Sequence, residues 1–143
     1  MNKKLLALAI GTAVMLPVSA IANPTLYGKM NVTLENVDNG TTDVWQLNSN
    51  ASRLGVKGEA GINDTLKGIY QAEYQIDVDD GATPFSQRNI FAGLKGDFGT
   101  LRFGKMDTPL KDAQGKVDQF NDLNGDIQNI MSGESRADNS TYY

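Results

Sequence analysis

Two stretches of this chain hold a strict period-two alternation for longer than an ordinary strand lasts. In TLYGKMNVTLEN the even positions carry Leu26, Gly28, Met30, Val32 and Leu34, and the odd ones Thr25, Tyr27, Lys29, Asn31, Thr33 and Glu35. In TLKGIYQAEYQIDV, Leu66, Gly68, Tyr70, Ala72, Tyr74, Ile76 and Val78 alternate with Thr65, Lys67, Ile69, Gln71, Glu73, Gln75 and Asp77. Successive side chains of a strand point to opposite faces, so each stretch is a strand with one apolar and one polar side. Globular strands average about five or six residues, whereas a tilted strand needs ~9–11 to cross a bilayer.

Three further segments repeat the pattern. NASRLGVKGEAG sets Leu54 and Val56 against Arg53, Lys57 and Glu59. RNIFAGLKG sets Ile90, Ala92 and Leu94 against Asn89, Phe91 and Lys95, and GTLRFGK follows directly. Asn63-Asp64 and Asp97-Phe98-Gly99 read as short turns, while NVDNGTTDV (36–44) and DVDDGATPFSQ (77–87) read as longer loops. Alternating strands suit either a sandwich, whose apolar face meets a second sheet, or a membrane barrel, whose apolar face meets lipid. Strand length, mid-strand charges such as Lys29 and Glu73, Tyr27 and Tyr70 as interface aromatics, and short turns alternating with long loops favour the barrel.

The segment before these strands has a different purpose. Lys3 and Lys4 precede an apolar run from Leu5 to Val18, and Ala20-Ile21-Ala22 supplies small residues for cleavage. Residues 1–22 therefore read as a secretory signal peptide, and 23–143 as the exported domain. Removing Lys3 and Lys4 makes a chain of net charge −4 more acidic still, which argues against a nucleic-acid partner. The chain has no cysteine and no histidine, so disulfide staples, histidine-based triads and histidine-ligated zinc are excluded within it. No cofactor and no metal are expected. Glu59 and Glu73 read as solvated wall residues rather than a hydrolytic pair. Asp77 to Asp80 do not make a calcium loop, because Arg88 stands where the twelfth-position carboxylate would be needed.

The motifs YGK (27–29), SRLGVKGE (52–59), YQAEY (70–74) and FAGLKGDFGTLRFGK (91–105) together resemble the general bacterial porins. ESRADNSTYY (134–143) resembles the start of that family's sixth strand. The resemblance implies an all-β fold, an antiparallel transmembrane β-barrel of which this chain supplies five strands, the constriction loop and the start of the sixth. Family members are trimers of barrels of about sixteen strands, so the chain is expected to be an N-terminal piece with the barrel incomplete. The implied function is passive diffusion of small hydrophilic solutes and ions across the outer membrane of a Gram-negative bacterium, with no enzymatic activity. The implied partners are outer-membrane lipid, lipopolysaccharide and, for the full barrel, two further copies in a homotrimer. The alternatives are a secreted or surface β-sandwich for binding or adhesion, and a non-functional truncated porin.

The resemblance also gives a role to the polar segment 106–134. In the family this loop folds into the barrel and opposes its acids to a basic wall. The acids placed at the constriction are Asp118, Asp122 and Asp126, with Asp112 and Glu134 as weaker candidates. The basic wall is Lys29, Arg53, Lys105 and Arg136. Lys105 shares parity with Leu101 and Phe103, so it faces lipid and Arg102 faces the lumen unless a bulge near Gly104 flips the register.

Overall fold

The structure, a computed structural model, describes residues 23–38, 40–79 and 85–143. The expected signal peptide at 1–22, and the centre of the 77–87 loop, lie outside the described residues.

Six strands form one antiparallel sheet in the order β1 (Thr25–Lys29), β4 (Arg53–Gly61), β5 (Leu66–Ile76), β6 (Phe85–Gly96), β7 (Gly99–Asp107) and β8 (Arg136–Tyr142). The remaining pair, β2 (Val32–Asp38) with β3 (Asp43–Ser49), forms a separate two-stranded sheet. β5 and β6 are the longest strands, at 11 and 12 residues. Hairpins join the strands. After β4, Asn63 Oδ1 accepts from the Thr65 amide at 3.0 Å, and the Ile62 amide donates to Leu66 O at 2.8 Å. After β6, Gly96 pairs with Gly99 across Asp97-Phe98, and Gly99 takes φ +108°, a backbone region that glycine enters freely. Both short turns thus fall where the sequence puts them.

The 36–44 segment is a correction. It is not a long loop but the end of a tight hairpin, with Asn36 opposite Trp45, Val37 opposite Val44 and Asp38 opposite Asp43. Two facing valines and a tryptophan favour a ladder, and Asp38 Oδ1 closes the turn by accepting from the Gly40 amide at 2.8 Å. Strand β3 is therefore an element that the sequence reading omits. The first alternating stretch is also not one strand, because it breaks between Lys29 and Val32.

That break has a definite cause. β1–β4 pairing puts Lys29 opposite Arg53, and β2–β3 pairing puts Val32 opposite Ser49, so the second strand carries one extra residue at the crossing. Ala51 absorbs it in a left-handed conformation, φ 48°. Asn31 locks the bulge. Its carbonyl accepts from the Asn50 amide at 2.8 Å, its amide donates to Ser52 Oγ at 3.0 Å, and its side chain donates to Asn50 O at 3.1 Å. The extra residue switches the apolar parity from odd in β3 (Trp45, Leu47) to even in β4 (Leu54, Val56), so one face stays apolar throughout.

The interior is inverted relative to a water-soluble domain. Among the described residues the buried hydrophobic side chain is Met106, whereas Asn50, Ser52, Glu73, Arg88, Asp126 and Glu134 are all buried. Leu26, Met30, Leu34 and Trp45 are each about two-thirds or more exposed. No helix among the described residues is long and apolar enough to cross a membrane.

Candidate functional site: the charged inner face and its loop

The polar face of the sheet carries a connected network. Glu73 on β5 is buried, and its Oε1 takes Arg88 Nε at 2.8 Å while its Oε2 takes the Tyr27 hydroxyl at 2.9 Å. Arg88 Nη1 continues to Gln75 Oε1 at 3.2 Å, and Gln71 Nε2 donates to the Tyr27 hydroxyl at 3.0 Å. Tyr27 is therefore an inner-face residue and not an interface aromatic. A buried guanidinium and carboxylate satisfy each other's desolvation only when paired and further hydrogen-bonded, as they are here.

Arg88 escapes the sequence reading for a geometric reason. It has the parity of Ile90 and Ala92, yet the β5–β6 register shifts between Ala72, opposite Ile90, and Tyr74, opposite Gln87. The shift lets both Arg88 and Asn89 reach the polar side. Asn89 Nδ2 donates to Asp107 Oδ2 at 2.6 Å while Asn89 Oδ1 accepts from the Asp107 amide at 3.0 Å, and Arg136 Nε lies 3.1 Å from Asp107 Oδ1, though not aligned for a hydrogen bond.

Segment 108–135 lies against this face. Its base is closed by Thr108, whose amide donates to Ser135 O at 3.0 Å and whose hydroxyl donates to Gly133 O at 3.0 Å. Thr108 also caps α1 (Pro109–Gln114), a short helix with Pro at its start and Gly115 at φ 53° past its end. Lys111 on α1 forms an ion pair with buried Glu134. Burial, aided by the charge of Arg136, holds the Lys111 ammonium below its ordinary pKa.

The three acids singled out in this segment act differently from one another. Asp118 accepts from the amides of Phe120 and Ile127 at 3.0 and 3.2 Å. Asp126 accepts from those of Gln128 and Asp122, both at 2.8 Å. Both carboxylates are spent on folding the tip. Asp122 is the acid that meets the basic residues of the sheet: its Oδ2 lies 2.5 Å from Arg53 Nη2 and 3.1 Å from Lys29 Nζ. It does so from a left-handed backbone, φ 69°. Among the other basic candidates, Arg136 pairs with Asp107 of the adjacent strand, and Lys105 pairs with Asp138 of β8 at 3.0 Å. Arg102 lies over the Phe91 ring, 5.6 Å from its centroid. A register shift does occur beside Lys105, between Gly104 and Met106, and Gly104 has φ +143°. Asp112 is exposed.

Carboxylate oxygens of Asp118, Asp126 and Glu134 lie within 4.8 Å of one another. The positive charge such a group needs already comes from Lys111 and from backbone amides. Between loop and sheet lies a polar cavity of about 260 Å³, lined by Arg88, Lys111, Asp122, Asp126 and Arg136 among others. The arrangement offers opposite charges fixed in contact where the loop meets the sheet, beside a polar cavity lined by further charged side chains.

Comparison with known proteins gives the same direction. A family model described as Gram-negative porin matches residues 6–143. "Major outer membrane protein P.IB" of Neisseria sicca is 31% identical over 143 aligned residues, covering 94% of this chain and 39% of that protein. The protein of the same name from Neisseria gonorrhoeae is 33% identical, covering 84% of this chain and 36% of its own length. "Major outer membrane protein P.IA" of Neisseria meningitidis is 30% identical, with 96% of this chain and 41% of that protein covered. The chain thus spans about two-fifths of the length of these relatives.

Proposed function

This chain belongs to the Gram-negative porin family, and from that premise we propose that its sheet is wall, and its 108–135 segment the constriction, of a passive channel for small hydrophilic solutes and ions across the outer membrane. It is a channel component rather than an enzyme. The observation that carries the reading is the inverted interior: apolar side chains face outward and a hydrogen-bonded charge network faces inward beneath a folded-in loop. In a bilayer the outward side chains contact acyl chains, and the inner face stays wet.

Asp122, in contact with Lys29 and Arg53, ties the loop to the sheet, and the charged side chains around the adjoining cavity supply the field of the constriction. Fixed charges act strongly across a narrow gap with low-dielectric walls, so a polar solute aligns with their field while an apolar solute must strip ordered water. Arg88 and Arg136 extend the basic side of the sheet, Lys111 adds a cation on the loop, and Lys105 and Arg102 meet Asp138 and Phe91 instead. Residues 1–22 act as the cleaved export signal, and lipid, lipopolysaccharide and two further copies of the protein are the partners of the outer face.

Planar-bilayer recording tests the proposal. A completed barrel that carries this chain as its N-terminal part should give uniform conductance steps, and Asp122→Asn in it should move the reversal potential toward anions, whereas the chain alone should give none. Uniform steps whose reversal potential ignores Asp122→Asn would put the constriction elsewhere. Recovery of the exported chain in the soluble fraction would favour a β-sandwich instead.

A further inference from the structure

The loop tip touches the first hairpin at a second point, two residues from Asp122. Asn124 Nδ2 donates to Glu35 Oε2 at 2.9 Å. Glu35 sits on β2, and its carboxylate is itself oriented: Oε2 also takes Asn48 Nδ2 at 2.9 Å, and Oε1 takes the Thr33 hydroxyl at 2.7 Å. Thr33 Oγ1 in turn accepts from Asn50 Nδ2 at 3.0 Å, which ties the acid to the Asn31–Asn50 bulge. We infer that Glu35 is a positioning residue for the constriction loop, fixing the angle at which Asp122 faces Lys29 and Arg53.

The two contacts differ in what they fix. The Asp122 contact holds the tip near the wall, but one oxygen shared by two flexible cations leaves it free to swivel. An amide donating to a carboxylate is directional, so the Asn124–Glu35 bond removes the swivel. The chemistry at position 124 matters: a carboxylate there would lose the donor and repel Glu35. The amide therefore lets the acidic tip lie beside another acid. This inference rests on the pore reading for its consequence, but its test reads loop attachment, so either can fail without the other.

The chain has no cysteine, so a single engineered one carries a spin label without competition. Asn121→Cys places it at an exposed site beside Asp122, and Asp64→Cys, in the turn after β4, reports whether the sheet is folded. In the full chain refolded in detergent micelles, Glu35→Ala and Asn124→Asp should each raise the mobile-to-immobile ratio at position 121 about fivefold. Glu35→Gln should leave that ratio nearly unchanged, because it keeps an acceptor. Combining Glu35→Gln with Asn124→Asp exchanges amide and carboxylate and should restore immobility. The inference is overturned if position 121 is unaffected by Glu35→Ala and Asn124→Asp, or if the exchanged pair is as mobile as Asn124→Asp alone. Should Glu35→Ala disturb the turn label, Asn124→Asp and the exchanged pair decide the matter, since residue 124 is exposed on the loop.

Discussion

Single carboxylates in the loop have separable duties. Asp126 accepts two backbone amides and is buried, so Asp126→Ala should unravel the tip at a cost of about 1–2 kcal/mol and speed proteolytic cleavage near Lys116. Asp122→Asn should instead leave the tip folded while weakening its hold on Arg53 and Lys29, seen as faster amide exchange at the contact and not as new cleavage. Lys111 gives a pH signature. Its folded pKa lies below the unfolded one, so the folded state binds its proton less well. Its contribution to stability therefore rises as pH climbs from the folded value toward the usual lysine range, and is lost as pH falls. Lys111→Gln should remove that alkaline rise from a stability–pH curve. At this scale the sequence identifies charged residues but not their partners. Asp118, Asp122 and Asp126 look alike in a polar run, and only the turn geometry assigns two of them to amides.

Elements are more legible, because period two survives in any strand that shows water one side and something apolar the other. The hairpins of β4 to β7 follow directly from it. Two of the failures sit at bulges, where one inserted residue reverses parity. Arg88 hides behind the shift opposite Ala72–Tyr74, and β3 hides behind the odd parity imposed by Ala51. Two substitutions probe these points. Ala51→Gly relieves a left-handed alanine and should stabilise the β1–β4 crossing by about 0.5 kcal/mol, measured by denaturant midpoint in detergent. Gly104→Ala puts a side chain at φ +143°, against the Ile90 carbonyl, and should cost about 2 kcal/mol or more, with amide exchange accelerated along β6 and β7.

The whole molecule depends on its surroundings. Its exposed Leu26, Met30, Leu34 and Trp45 would normally mark an interaction surface, and here they continue along one side of consecutive strands. Alternation and length made a membrane-facing sheet readable from the sequence. Closure was not readable in the same way, since β1 and β8 stand at the two margins of the six-stranded sheet.

A sheet that, among its described residues, leaves Met106 as the buried hydrophobe carries almost none of its burial free energy within itself. In a soluble domain that term travels with the molecule, and the heat-capacity step on melting reports it. On the proposed membrane placement the term belongs to the medium, so the cooperativity of unfolding should change when the host amphiphile changes, even though no residue has been altered.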